Sequence, residues 1–344
     1  MSYLIIGNDI NALYFAKVLN EYGWKVTLIT KNKFEYGPEF TFFEPDLLPR
    51  YGFPAINGLK KEYDFVEVCD LSGRNTLLPT ATQVLDLSTL KNKLFNDIVH
   101  EITYHEHASF IDQNGENTFI TVDGKGTMIK VRYVINFEDL GITQRFGNNI
   151  RKTEMIHANV RRNNTDGNIN IFFLPKGYGW IINITPEIAH ICINSENCQY
   201  EFENYVKTNK LRVLYFEKTE NNLYNEIRVA QNNHMFLAGN ALGISDNLNL
   251  DSLSPGLAYC QDFIAYFHKL MTLESGHYYQ LFEKKFDFMK KSVKLGKYFW
   301  NANAEDKNDL LKYYNPKHSV LDFDTMFENL PVLSKHKIKL VFNR

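Results

Sequence analysis

What this chain has little of narrows its function first. It carries four cysteines in 344 residues, Cys69, Cys192, Cys198 and Cys260, widely scattered and without a C-x-x-C pair. That pattern excludes a disulfide framework or a cysteine-ligated zinc site and leaves small buried apolar residues. Positive charge is not in excess: 38 Lys and Arg against 40 Asp and Glu give a formal net charge of -2, so no global basic field points to nucleic acid. No run of about 18 uninterrupted apolar residues occurs, which excludes a membrane-spanning helix. The apolar N-terminus has no charged leader, and a reduced cytoplasmic compartment is the expectation. His105, His107, His190 and His234 show no metal-ligand spacing such as H-x-x-x-H, so no metal is expected. A G-x-S-x-G elbow is also missing, which removes the corresponding hydrolases.

Aromatic residues, in contrast, are plentiful at 14%, from 26 Phe and 20 Tyr. Most of them serve a core, and such a supply also suits a cavity for a greasy ligand. The length fits one large or two intimately joined domains with ample interior.

The most informative stretch is Tyr3-Leu4-Ile5-Ile6-Gly7-Asn8-Asp9-Ile10-Asn11-Ala12. An apolar strand runs into one glycine and then into a helix-periodic segment, the layout of a dinucleotide-binding turn. The fingerprint is G-x-G-x-x-G/A. Gly7 and Ala12 satisfy its ends, but Asp9 replaces the middle glycine. A side chain there blocks the close approach of a pyrophosphate, its charge repels the phosphates, and its carboxylate can cap the helix in their place.

Residues Ser2 to Ile29 read as strand, helix and strand in a right-handed crossover, with Gly23 ending the helix. Phe34 to Lys60 is a Gly-, Pro- and aromatic-rich excursion, and either a ligand-site cover or a packed loop fits it. A short strand (Thr82 to Leu87) and a helix (Thr89 to Glu101) come after it. Alternating strands are next at Thr118 to Val122 and Met128 to Arg132, and then an apolar strand at Tyr133 to Ile135. Residues 155–230 are strand-rich, interrupted by a helix near Tyr200 to Lys207. His234 to Gly239 is another apolar strand, and beyond Pro255 the pattern is helical. The fold class is α/β. Residues 1–150 and 231–275 form a discontinuous dinucleotide-binding-like lobe with a helical insertion at 82–101. Residues 151–230 form an antiparallel-sheet lobe and 276–344 a helical C-terminal region.

In this order the pieces resemble the geranylgeranyl reductase family of FAD-dependent oxidoreductases, within the fold group of para-hydroxybenzoate hydroxylase. Four stretches carry the resemblance. The first is the Gly7 loop. The second is Tyr133 to Gly147, where Arg145 and Gly147 match a flavin-proximal segment while Glu138-Asp139 replaces its Asp-Gly pair. The third is Tyr178-Gly179-Trp180, similar to a Y-x-W motif, with Ile182-Asn183 in place of Phe-Pro and with Cys192 and Asn194 in place of two glycines. The fourth is Gly239-Asn240-Ala241 with Ser254-Pro255-Gly256-Leu257, where Asn240 replaces an acidic residue.

The resemblance implies a Rossmann-like FAD lobe, an antiparallel-sheet substrate lobe and C-terminal helices. It implies FAD bound near Gly7, Asp9, Ala12, Thr30, Arg145, Gly239, Asn240, Gly256 and Leu257, and an isoprenoid chain lying along Tyr178 and Trp180. Two family features are missing. Thr30 stands where an acidic residue would bind the adenosine ribose, with Glu35 too far along to replace it, and no cysteine follows the second strand. The implied activity is flavin-dependent reduction, or binding, of an isoprenoid or lipid. A flavin-free, non-catalytic relative that binds a prenyl lipid or a partner protein is the alternative, and an NAD(P)-using or redox-neutral enzyme is a third. No catalytic residue emerges.

Tyr279 to Tyr298 reads as an amphipathic helix, with Tyr279, Phe282, Phe286, Met289 and Val293 at helical spacing. Lys284, Lys285, Lys290, Lys291, Lys294 and Lys297 lie elsewhere on it. Docking with a solvated lysine face and peripheral contact with an anionic membrane both fit.

Overall fold

The computed structural model describes residues 2–30, 40–43, 45–53, 61–138, 149–162, 169–226, 231–232, 234–244, 253–270, 276–313, 327–332 and 334–342. Glu35, Asp139, Arg145 and Gly147 lie outside these residues.

Strand β1 (Ser2–Ile6) is apolar on both faces and fully interior after its first residue, as a central parallel strand must be. Helix α1 (Ile10–Glu21) follows, and β2 (Lys25–Ile29) returns parallel to β1, with Ile6 opposite Ile29. The helix stops where Gly23 adopts φ +74°, a left-handed value that glycine accepts without a Cβ penalty. On the other side of β1 lies β10 (Tyr133–Asn136), also parallel, and beyond it β17 (Met235–Leu237). β6 (Thr103–His105) and β16 (Gln231–Asn232) close the two edges, giving the order β16-β17-β10-β1-β2-β6. The crossover expected from sequence is thus present.

The second sheet has eight strands in the order β15-β11-β14-β13-β12-β4-β5-β3. These are β3 (Phe40–Phe43), β4 (Lys61–Cys69), β5 (Asn75–Asp86), β11 (Asn149–Arg161), β12 (Ile169–Leu174), β13 (Gly177–Asn183), β14 (Ile188–Ser195) and β15 (Arg212–Glu226). Two features differ from the sequence reading. The sheet is mixed, because β12 runs parallel to β4, and it takes three strands from residues 40–86. The end of β5 is the strand expected at Thr82 to Leu87, whereas β4 is hard to read because the register shifts between Tyr63 and Phe65. Asp64 of β4 faces two residues of β5, at positions 80 and 81, and this bulge disturbs the period-two alternation that marks a strand.

Side chains on opposite faces of this sheet build two separate cores. On one face Ile156, Ala158, Ile191 and Ile193 pack under helix α4 (Cys198–Thr208), with Cys198 and Phe202. On the other, Val66, Ile171, Phe173, Tyr178, Trp180 and Cys192 pack with the C-terminal helices. Helices α2 (Leu47–Arg50) and α3 (Leu87–Ile98) flank the first lobe. A small antiparallel sheet, β7 (Ala108–Asn114), β8 (Asn117–Val122) and β9 (Lys125–Lys130), adds Ile111 and Ile120 to the same core.

Helix α5 (Leu253–Leu270) keeps Pro255 in its first turn, where the missing N–H has no intrahelical partner to lose. Helix α6 (Gly276–Asn301) turns Met289, Ser292, Leu295 and Phe299 inward and leaves Lys290, Lys291, Lys294 and Lys297 exposed. Tyr279, Phe282, Phe286, Lys284 and Lys285 have side chains outside the described set. Helices α7 (Ala304–Leu311) and α8 (Lys335–Phe342) end the chain. Among the described residues no helix is long and apolar enough to cross a membrane.

Candidate functional site

In open α/β sheets, ligands bind beyond the carboxyl ends of the strands where the strand order reverses. That point is β1, flanked by β2 and β10. The residues gathered there are Gly7, Asn8 and Asp9 after β1, Thr30 after β2, Asn136 at the end of β10 with Phe137 and Glu138 after it, and Gly239 and Asn240 after β17. The strand ends thus bring together most of the cofactor positions expected from sequence.

Two glycines wrap one phenylalanine. Gly7 has φ +139°, and a Cβ there would meet Phe137 Cβ at 3.0 Å and Ala12 Cβ at 3.2 Å. Gly239 has φ +48°, and its added Cβ would sit 2.7 Å from Phe137 Cδ1. Phe137 is fully buried, and its backbone ties the strands together: its N–H donates to Ile6 and its carbonyl accepts from Ala241. Asn240 lies in the short 3-10 turn Gly239–Leu242, partly exposed.

The α5 start is filled differently. A Cβ at Gly256 would meet the Asn11 amide nitrogen at 2.3 Å, so the space above this helix turn belongs to Asn11. Leu257 is wholly interior. Thr30 is also fully buried, and its backbone bonds to His105 and Ala108 on the neighbouring segment.

Whether this edge fits a pyrophosphate depends on its amides. Asp9 is the N-cap of α1, and its Oδ1 accepts from the Ala12 N–H at 2.7 Å. The Asn8 N–H donates to Glu138 Oε1 at 2.9 Å. Two donors of the loop are therefore satisfied by the chain's own carboxylates, and both carboxylates face the place where phosphates would lie. Charge-assisted bonds of this kind are about twice as strong as neutral ones, and a diphosphate would meet like charge. The loop as folded does not fit the diphosphate of FAD. One group is left over: the buried side-chain amide nitrogen of Asn136 has no hydrogen-bond partner among the described residues.

The second cluster lies on the face of the eight-stranded sheet that meets the C-terminal helices. Tyr178 and Trp180, two apart on β13, point the same way and are 3% and 5% exposed. Tyr178 stacks on Trp300 of α6 with ring centroids 5.2 Å apart. Trp180 lies beside two histidines, with centroids 5.4 Å from His190 and 6.4 Å from His157. Phe40, only partly buried, covers His190 at 5.1 Å.

The two histidines form a buried chain with Asn159. His190 Nδ1 lies 2.8 Å from Asn159 Oδ1, and its Nε2 lies 3.4 Å from His157 Nδ1. The Asn159 oxygen can only accept, so it selects the His190 tautomer protonated on Nδ1. His190 Nε2 then accepts from His157. Burial, followed by the neighbouring His157, holds the His190 pKa well below the ordinary histidine range. His190 therefore stays uncharged on this apolar face, with both ring nitrogens in contact with polar partners.

Sequence reasoning missed Glu138 as a partner of the loop, because 130 positions separate it from Asn8. It also missed His157, which has no motif of its own and meets His190 only through the pairing of β11 with β14.

No family model matches the chain, and no curated protein does either. Solved structures do. A geranylgeranyl bacteriochlorophyll reductase-like protein from Thermoplasma acidophilum matches with a TM-score of 0.78 at 11% identity, over 99% of this chain and 98% of that one. A flavoprotein/dehydrogenase from Cytophaga hutchinsonii matches with a TM-score of 0.64 at 15% identity, over 99% and 97%. A p-nitrophenol 4-monooxygenase from Pseudomonas putida DLL-E4 matches with a TM-score of 0.65 at 12% identity, over 95% of each. The chain has the fold of the flavin-dependent oxidoreductases. Among these it is similar end to end to the geranylgeranyl-reductase-like architecture.

Proposed function

We propose that this chain is a geranylgeranyl-reductase-like protein, on the flavin-dependent oxidoreductase fold, that binds an isoprenoid or comparably apolar lipid. The ligand lies against the helix-facing side of the second sheet. The observation that carries this reading is the setting of Trp180. It sits on an aromatic face with Phe40 and Tyr178, beside His157 and a His190 kept neutral by burial. Partly buried Phe40, Met155 and Leu78 border the same core, which gives the ligand an apolar edge to enter by. Such a surface rewards a long uncharged chain through area burial.

The test is geranylgeraniol titrated against the full chain, read by tryptophan fluorescence. A saturable change is expected, weakened at least tenfold in Trp180→Ala and largely kept in Trp180→Phe, with circular dichroism unchanged. No saturable change, or one that Trp180→Ala leaves intact, contradicts the reading.

FAD-dependent reduction of that lipid is the second reading. The turns at Gly7 and Gly239, the Asn240 amide and the spare Asn136 donor favour it. It requires Asp9 and Glu138 to release the loop. Contact with an anionic membrane through α6 belongs to the same proposal. Its exposed lysines support it, although Lys290 already pairs with Asp287 and Lys291 with Glu328. Co-sedimentation with phosphatidylserine vesicles, lost on replacing Lys294 and Lys297 with Glu, checks that part.

A further inference from the structure

We infer that Glu138, with Asp9, is a built-in plug of the phosphate loop: a surrogate anion that excludes dinucleotides and conceals a latent diphosphate site. This inference is independent of the lipid reading. It concerns the other lobe and depends on different residues.

Three observations converge on it. The first is position. Glu138 follows Phe137, whose N–H is bonded to Ile6 of β1 and whose carbonyl is bonded to Ala241 in the 3-10 turn after β17. The Glu138 backbone N–H donates to Asn136 Oδ1 at 3.2 Å, and Asn136 is itself fully buried. The start of the side chain is thereby fixed over the turn at the end of β1.

The second is the use made of Gly7. In a dinucleotide loop the first glycine makes the tight turn on which the phosphates lie. Here an added Cβ at Gly7 would lie 3.4 Å from Glu138 Cγ. The side chain of Glu138 thus lies against this turn, beside the closer Phe137 and Ala12 at 3.0 and 3.2 Å.

The third is the donor inventory. The Asn8 N–H goes to Glu138 and the Ala12 N–H to Asp9, at 2.9 and 2.7 Å. These are amides at the positive end of α1, and anions are stabilised there whether they come from a ligand or from the chain. Two carboxylates meet the need of the helix end as a phosphate group would.

The probes are ADP and inorganic pyrophosphate, and the readout is the thermal midpoint of the full chain with circular dichroism as a fold check. Wild type is expected to show no shift with either probe at millimolar concentration. The double variant Asp9→Gly/Glu138→Ala is expected to melt earlier and to regain its midpoint saturably with ADP, with an affinity at least tenfold above wild type. Glu138→Gln keeps an oxygen for the Asn8 N–H but removes the charge. It should melt near wild type and bind ADP with intermediate affinity, and it serves if the double variant does not fold. Wild type that binds ADP as tightly as the variants overturns the plug. Folded variants that bind neither probe overturn the latent site. Neither result alters geranylgeraniol binding, so failure here is separable from failure of the lipid reading.

Discussion

Tyr178 and Trp300 lie face to face, their centroids 5.2 Å apart and their planes inclined by 16°. This stack joins the second sheet to the end of α6, next to Phe299, which is fully buried against Phe173. The C-terminal helices are thereby part of the second core.

Removing one ring of the stack should loosen that attachment. Trp300→Ala is expected to lower stability by about 3 kcal/mol, the range for truncating a large aromatic side chain. Tyr178→Phe, which keeps the stacked ring, should cost less than about 1.5 kcal/mol. Urea unfolding followed by tryptophan fluorescence and by far-ultraviolet circular dichroism measures both. Equal costs for the two variants would show that the ring contact is not what binds α6 to the sheet.

Lys307 offers a pH test of burial. It is fully buried, donates to the carbonyls of Pro175 at 2.8 Å and Leu174 at 3.3 Å, and lies over the Phe299 ring. Burial pushes its pKa from 10.5 down to about 8. Between those two values the unfolded chain binds more protons at this site than the folded one, so its contribution to stability rises with pH. Wild type compared with Lys307→Met should be flat below about pH 8 and should gain from there to about pH 10.5. Parallel curves of urea midpoint against pH would contradict it.

Asp309 has the same sign in an acid window. It lies 3.0 Å from His336 Nε2 on α8, whose Nδ1 is 2.7 Å from the Tyr298 hydroxyl. The Lys312 hydrogen bond, followed by the one from His336, holds its pKa near about 2 against an ordinary 3.8. A depressed carboxyl contributes stability above its unfolded value and loses it as pH falls towards the folded one. Asp309→Asn should therefore make α8 more susceptible to limited proteolysis at neutral pH. The difference from wild type should shrink between about pH 4 and pH 2. A difference that persists undiminished at pH 2 would assign it to packing.

Gly7 combines a left-handed φ with close neighbours on three sides. Gly7→Ala should cost about 1–3 kcal/mol from overpacking and strain, and it should disturb the Asn8–Glu138 bond. A midpoint within error of wild type would show that the β1 turn relaxes without cost.

The first crossover was legible because each of its signals is local. Tyr3 to Ile6 is a continuous apolar strand, Gly7 ends it, and Asp9 caps the helix that starts at Ile10. The pairing of Tyr178 with Trp180 on one face comes directly from the two-residue period of a strand. Of the β4–β5 pair only the end of β5, Thr82 to Asp86, was legible, since Lys61 to Cys69 mixes charged and apolar residues and a bulge opposite Asp64 shifts the faces. The partners of the loop were half legible. Asp9 reaches Ala12 three residues away, but Glu138 reaches Asn8 only because β10 lies beside β1, a long-range pairing that no local pattern encodes.

That an oxidoreductase fold here keeps its phosphate loop for its own carboxylates is tested most directly by the visible spectrum of the purified full chain. The spectrum is recorded after equilibration with excess FAD and desalting. A colourless protein is expected, with flavin bands near about 370 and 450 nm, which are the cofactor's own, confined to the Asp9→Gly/Glu138→Ala variant. Wild type that retains stoichiometric flavin through desalting would contradict it.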